Sequence, residues 1–381
     1  MKIAYITIEE ILGPANSGGI QCSLRNIDLI KSAFGSENIF VCAITKNKDY
    51  LSRENGNMKV FFSYCNRNIN SIINALKGRL VFEKKVENEI IEYLTALGCQ
   101  YVFLESSKMG NLQKRLPSDL KQILFMQNIE REYTKNLLRK HLEYLIIYLP
   151  TVWNEKKAVK NAEIIIMLNK RDSVLLEKFY NRKPYLIIPI TFSDSFLEQE
   201  SVSPDGIAPL QLLFVGSLFS SNEHGVTWFV NEVMPYVNAE LTIIGKGFER
   251  LTGKLNKDNV KTVGTVEDLS SYYYSANAVI SPILFGAGMK VKTAEAFMYG
   301  KPMFATDEAL EGYDVEGLGN IYRCNSQGEF INEINKFSKK TPYILYDPNI
   351  RSLFLEKYHT QGYVPVLRKM LLETINSLEG M

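Results

Sequence analysis

Short runs of contiguous apolar residues alternate along the chain with longer stretches in which apolar positions recur every three or four residues. The short runs read as strands buried on both faces, because a half-exposed strand would alternate apolar and polar side chains. In the first half they fall at residues 2–8, 38–45, 58–63, 100–105, 122–126, 163–168 and 185–189. The longer periodicity between them predicts helices that cover a parallel sheet on both sides. Leu212–Val215, Leu241–Ile244, a run from Val260, and Ala278–Ile280 repeat the alternation in the second half. The expected fold class is α/β, with two doubly wound units over residues 1–190 and 210–345. A linker rich in Ser, Asp, Glu and Pro is expected over 191–209, and a helical tail interrupted by Gly362 and Pro365 over 346–381.

The densest candidate chemistry follows the strand at Ala278–Ile280. Pro282 stops the run, and Gly286-Ala287-Gly288 makes a turn whose amides can come close to a ligand. A helix begins there and is ended by Gly300 and Pro302. Amides at a helix start favour an anion, and Lys290 and Lys292 add two positive charges beside Gly288 and Met289. Glu295 lies one turn further in, where phosphates would repel it, so its natural partner is a sugar diol, most simply a ribose. The same residues also fit a glycine turn before a core helix, with two solvated lysines and a surface Glu.

Composition narrows the choices. At 381 residues and 46% hydrophobic, the chain can fill two cores. Five dispersed cysteines without a Cys-x-x-Cys pair predict neither a disulfide framework nor a zinc site, and fit a reducing cytoplasm. Glu9 and Glu10 come too early for a signal-peptide core, and no apolar run approaches the roughly 20 residues of a membrane span. The net charge of +2 conceals an asymmetry: residues 1–190 hold 28 basic against 19 acidic side chains, the remainder 16 against 23. The first half therefore suits an anionic partner, although no nucleic-acid module is present. There is no Asp-x-Asp for a metal-bridged diphosphate, and His141, His224 and His359 sit in no Ser or Cys motif. Gly245-x-Gly247 and Gly286-x-Gly288 lack the third glycine of a dinucleotide fingerprint.

Pro282, the Gly286-Ala287-Gly288 turn, Lys292, Glu295-Ala296, Gly300, Pro302 and Thr306 together resemble the signature of the retaining glycosyltransferases of family 4, which have the GT-B fold. Leu212 to Leu218 with Asn222, Gly225, Trp228 and Pro235 resembles that family's first donor-domain strand and turn, so the resemblance covers most of residues 210–315. It implies two Rossmann-like domains facing a central cleft and a tail that crosses back to the first domain. It further implies a UDP-sugar or GDP-sugar donor, no cofactor and no metal, and a glycan or polyprenyl-diphosphate-linked acceptor in surface polysaccharide synthesis. Lys292, Lys290 and the amides of Gly288 and Met289 would then hold the diphosphate and Glu295 the ribose. Gly216, Ser217 and Asn222 would touch phosphates or sugar, and Val266 would border the base.

Two departures matter: many members carry a Glu where Ala287 stands, and a His where Gln127 stands beside Asn128. They leave open a noncatalytic subunit of the same fold. The segment Phe125–Tyr133, which follows a strand and opens a helix, still resembles the family's cleft site with Gln127 in the His position, so Gln127 and Asn128 are expected at the acceptor or cleft; Asn128 also suits a plain helix cap. In such folds the loop with Gly18 and Gly19, before a helix from about Gln21 to Phe34, faces the cleft; it also fits a simple turn. Arg131, Lys135 and Arg139 recur on one helical face beside Lys140, before the apolar Leu142–Trp153 and then Lys156, Lys157 and Lys160. That combination fits docking on an anionic inner-membrane surface, and equally a solvated helix beside a core element.

Overall fold

In the computed structural model the described residues are 1–14, 17–63, 73–75, 77–138, 142–197, 209–286, 288–340, 343 and 346–379, without the side chains of 374–379. Among them the seven apolar runs of the first half are seven parallel strands: β1 (Ile3–Thr7), β2 (Ile39–Thr45), β3 (Met58–Phe62), β4 (Tyr101–Leu104), β5 (Lys121–Met126), β6 (Ile164–Met167) and β7 (Leu186–Ile187). Their order in the sheet is β3-β2-β1-β4-β5-β6-β7. Every residue of β1, β4 and β6 is buried, which is what unbroken apolar runs require. One core gathers Ile6, Leu104, Met126 and Met167 with Ile90, Leu112 and Leu176 from the covering helices.

The second half forms another parallel sheet from β8 (Leu210–Val215), β9 (Ala239–Ile244), β10 (Val260–Gly264), β11 (Ala278–Ser281), β12 (Met303–Ala305) and β13 (Ile321–Arg323), in the order β10-β9-β8-β11-β12-β13. Lys301 follows the turn after helix Val291–Met298. Only 2% exposed, it donates its ammonium protons to the carbonyls of Tyr274 and Ala276 at the end of helix Ser270–Ser275. A buried lysine is tolerated there because the free carbonyls of a helix end need donors.

Two compact units result. The first holds residues 1–15, 22–189 and 363–381, the second 16–21 and 190–362. Two expected boundaries are thereby corrected. Residues 190–197, read as the start of a linker, belong to the second unit because they pack there: Phe192 pairs with His359, and the Phe196 ring meets Tyr274, Tyr299 and Tyr346. The remaining linker residues 198–208 lie outside the described set. The tail also divides later than residue 346. Helix Pro348–Leu353 and its continuation stay in the second unit, and only helix Val364–Glu379 joins the first, where Arg368 donates to the carbonyls of Ser32 and Ala33. Pro365 is compatible with that helix because it stands in the first turn, where its missing amide proton has no partner to lose.

Candidate functional site

In the second sheet the strand order reverses between β8 and β11, the place where doubly wound sheets bind ligands at the carboxyl ends of their strands. Close backbone approach builds the site. A β-carbon at Gly245 would come 1.9 Å from the Gly216 carbonyl oxygen, and one at Gly225 would come 2.0 Å from that of Pro282. Only glycine fits at these two points.

The loop after β8 and the helix after β11 meet at Lys292. Its ammonium donates to Asn222 Oδ1 at 2.7 Å and lies 4.0 Å from the centre of the Phe214 ring. Asn222 in turn donates to the Ser217 carbonyl at 2.8 Å, and a β-carbon on Gly216 would come 2.8 Å from Lys292 Nζ. Among the described residues no carboxylate pairs with Lys292. Burial, reinforced by the charge of Lys290, holds its pKa well below the ordinary lysine range. Lys292 occupies the first turn of helix Val291–Met298, whose start no side chain caps.

Lys290 differs from the expectation of a second phosphate cation. It donates to Glu308 Oε1 at 2.7 Å and to the Gly288 carbonyl at 2.8 Å, so its charge is already matched. Glu308 stands eighteen residues away and nothing in the turn motif announces it. Gly288 takes the left-handed φ of 63° and Met289 is buried. Ala287 lies outside the described residues. Glu295 accepts from the Tyr273 hydroxyl at 3.0 Å, and the Tyr273 ring stacks on Tyr299 with centroids 4.5 Å apart. Burial lifts the Glu295 carboxyl to about 7, a rise the Tyr273 bond opposes. Val266 is half-buried in the loop after β10, two strands from β8.

Gly18 and Gly19 are not a loop. Helix Gly18–Phe34 already includes them, because Ser17 accepts the Ile20 amide on its hydroxyl and the Gln21 amide on its carbonyl. Within the second unit a β-carbon on Gly18 would come 3.1 Å from Val291 Cγ2.

The first sheet reverses between β1 and β4, and there the carboxyl ends of β1, β4 and β5 border a small open hollow lined by Gln127 and Asn128. Gln127 donates to Glu105 Oε1 at 2.9 Å, and Ser23 donates to the same oxygen at 2.6 Å. Glu105 is 2% exposed, and burial raises it to about 7. Glu9, Lys108 and Glu130 also line the hollow, with Lys108 Nζ 2.9 Å from Glu130 Oε2. Asn128 is no helix cap. The first amides of helix Glu130–Leu138, those of Glu130 and Arg131, donate instead to the fully buried Glu155 at 2.6 and 3.3 Å. Glu155 also accepts from Tyr180 and Ser107, and burial raises it to about 7. Sequence reasoning reached Glu130 only as part of the Phe125–Tyr133 segment and missed Glu9, Glu105, Lys108 and Glu155. The available signal was an acidic residue terminating or interrupting an otherwise buried apolar pattern, as in Phe103-Leu104-Glu105.

The basic face expected near residue 131 is only partly solvated. The Arg131 guanidinium lies 4.3 Å from the centre of the Phe179 ring, and Lys157 donates to Asn111 at 3.4 Å; Arg139 and Lys140 lie outside the described residues.

Residues 209–339 match the sequence profile described as glycosyl transferases group 1. A Klebsiella pneumoniae protein described as an uncharacterized 44.6 kDa protein in the cps region is 24% identical over 352 residues, covering 86% of this chain and 88% of that protein. Among solved structures, sucrose-phosphate synthase of Thermosynechococcus elongatus superposes with a TM-score of 0.74 at 14% identity, over 99% of both chains. Anabaena HepE in complex with UDP-glucose gives 0.66 at 15% identity, over 99% of this chain and 100% of that one. The superposition over 99% of the chain and the pair of Rossmann-like sheets give this chain the GT-B fold, and within it residues 209–339 carry the group 1 glycosyltransferase profile.

Proposed function

We propose that the protein is a retaining hexosyltransferase that works without a metal, moving a sugar from a nucleotide diphosphate to a glycan or polyprenyl-diphosphate-linked acceptor in surface polysaccharide synthesis. The observation that carries this reading is the half-buried Lys292, held by Asn222 beside an uncapped helix start and paired with no carboxylate among the described residues. As the bond from the anomeric carbon to the β-phosphate oxygen breaks, negative charge grows on that phosphate. Lys292 and the neighbouring amides are disposed to stabilise it, doing the work a metal would do elsewhere. Glu295, backed by Tyr273, accepts the ribose hydroxyls. The acceptor hydroxyl attacks from the side the phosphate leaves and gives that phosphate its proton, which preserves the anomeric configuration without a protein nucleophile. UDP-glucose in the HepE structure supports a UDP-sugar over a GDP-sugar, and the cps-region relative supports a polysaccharide setting.

Calorimetric titration of UDP and GDP into the wild type, Lys292→Ala and Glu295→Ala is expected to show one nucleotide bound and both substitutions weakening it. A folded protein that takes up neither nucleotide would replace this reading with a noncatalytic subunit.

The same reading places the protein at the cytoplasmic face of an anionic membrane. Leu142, Leu145, Ile146, Leu149 and Trp153 are each at least 45% exposed, and they form one stripe that the exposed Lys156 and Lys160 continue along helix Leu145–Asn161. An apolar stripe ending in lysines suits the boundary between acyl chains and acidic headgroups. Cosedimentation with anionic vesicles is expected to exceed that with neutral ones and to fall in Leu149→Asp/Trp153→Asp; equal recovery with both lipids would sink the idea.

A further inference from the structure

We infer that Tyr299 is a positioning residue for ribose recognition: it fixes the tyrosine that orients Glu295, and it is itself held by residues 194–197, the chain segment that enters the second unit. The inference rests on the reading of Glu295 as the acceptor of the ribose hydroxyls.

Glu295 is half-buried, and among the described residues one hydrogen bond orients it, from the Tyr273 hydroxyl to Oε2 at 3.0 Å. A glutamate side chain has several staggered rotamers open to it, so the direction of its other oxygen follows from where the Tyr273 ring stands. Tyr273 is fully buried and stacks on Tyr299, with planes 7° and centroids 4.5 Å apart. Such a pair contributes beyond the area it buries, which makes Tyr299 the wall that places the Tyr273 hydroxyl.

Tyr299 is in turn clasped from outside the core. The Phe196 ring stands edge-on to it at 6.5 Å, and the Ser195 and Tyr299 hydroxyls are 3.4 Å apart. Phe196 is anchored by Arg351, whose guanidinium lies 4.7 Å from the ring centre and pairs with Asp194. Packing alone would be served by phenylalanine at both tyrosine positions. Each instead carries a hydroxyl, one donating to Glu295 and the other facing the exposed Ser195. A continuous series of contacts therefore runs from the entering segment to the carboxylate, and every member belongs to the second unit. Lys292 lies one turn before Glu295 on the same helix, so a displaced carboxylate would misplace the ribose relative to the phosphates.

Calorimetry on the full chain with UDP and GDP, each beside the analogue that lacks both ribose hydroxyls, reads the ribose contribution as a ratio of affinities. The wild type is expected to favour the ribose form about tenfold, the worth of one hydrogen bond to a charged group, and Glu295→Ala to abolish the preference. Tyr299→Leu is expected to lower the preference about fivefold, through loss of the stacked pair, and Phe196→Ala about twofold; Tyr299→Phe, which keeps the ring, is expected to retain it. The analogue is expected to bind every variant as it binds the wild type, which a general loss of packing would not permit. The inference is overturned if Tyr299→Leu and Phe196→Ala keep the full preference, or if the folded variants lose affinity for both forms alike. Should Tyr299→Leu fail to fold, Phe196→Ala, on the half-buried segment, decides by the same two criteria. A wild type that shows no preference, or a Glu295→Ala that retains one, would sink the ribose reading itself. Preference lost in Glu295→Ala and kept in the other two would sink the positioning role alone.

Discussion

The two carboxyl edges solve opposite electrostatic problems with the same backbone geometry. In the second unit the helix after β11 begins uncapped, with a lysine in its first turn, and the site is short of negative charge. In the first unit the helix after β5 begins against Glu155, and three further carboxylates line the hollow. A doubly wound sheet therefore supplies a place but not a polarity. Whether the helix start is left open or filled by a buried carboxylate decides which ligand charge the edge accepts.

The comparison breaks most severely at Glu155. Glu155→Ala would leave two helix amides, a tyrosine hydroxyl and a serine hydroxyl without their acceptor, and should lower stability by about 3 kcal/mol. Denaturant unfolding measures this; a loss below about 1 kcal/mol would mean water replaces the carboxylate freely. Next comes Lys292→Ala, expected to weaken nucleotide binding by about 2 kcal/mol, roughly thirtyfold, through loss of a charge-assisted bond. Because the free lysine is held below its usual pKa, nucleotide binding to the wild type should also take up a proton. Titrations in buffers of different ionisation enthalpy would reveal it, and a buffer-independent heat would refute the depressed lysine.

Glu295→Gln sharpens the comparison through pH. The folded carboxyl titrates at about 7 against an unfolded value of 4.5, so the folded state binds more protons between those limits and stability falls as pH rises across them. The amide should therefore raise stability by about 2 kcal/mol at pH 8, with no gain below about pH 4.5, while weakening nucleotide binding. Thermal melts at the two pH values would distinguish this from a uniform packing effect. The smallest effect belongs to Lys290. Because Glu308 already matches its charge, Lys290→Ala should cost only a few-fold in nucleotide affinity, and Glu308→Ala should improve it by a similar factor. An Lys290 effect equal to that of Lys292 would show that the pair opens when ligand arrives.

The strands were legible because a sheet covered on both faces needs unbroken apolar runs, and that requirement is local. The site around Lys292 was legible for a related reason: Gly216 to Asn222 and Gly286 to Glu295 are each contiguous, and each follows a strand. The first unit's hollow was legible only at Gln127 and Asn128; Ser23, Glu105 and Glu155 come from three other elements and acquire meaning only once β1, β4 and β5 lie side by side. Glu308 was hidden in the same way, by the seventeen residues between it and Lys290. The start of the first helix was misplaced because Gly18 and Gly19 have poor helix propensity, which Ser17 overrides by accepting two amides.

The late division of the tail has a bearing on inheritance. Apart from the few residues that open the first helix, the second unit is one uninterrupted stretch, residues 190–362, flanked on both sides by chain that belongs to its companion. In genetic terms it is a cassette with two borders. A recombination event that replaced the stretch between them would exchange the whole Lys292 site while keeping the Arg368 anchor on Ser32 and Ala33 with the unit it belongs to.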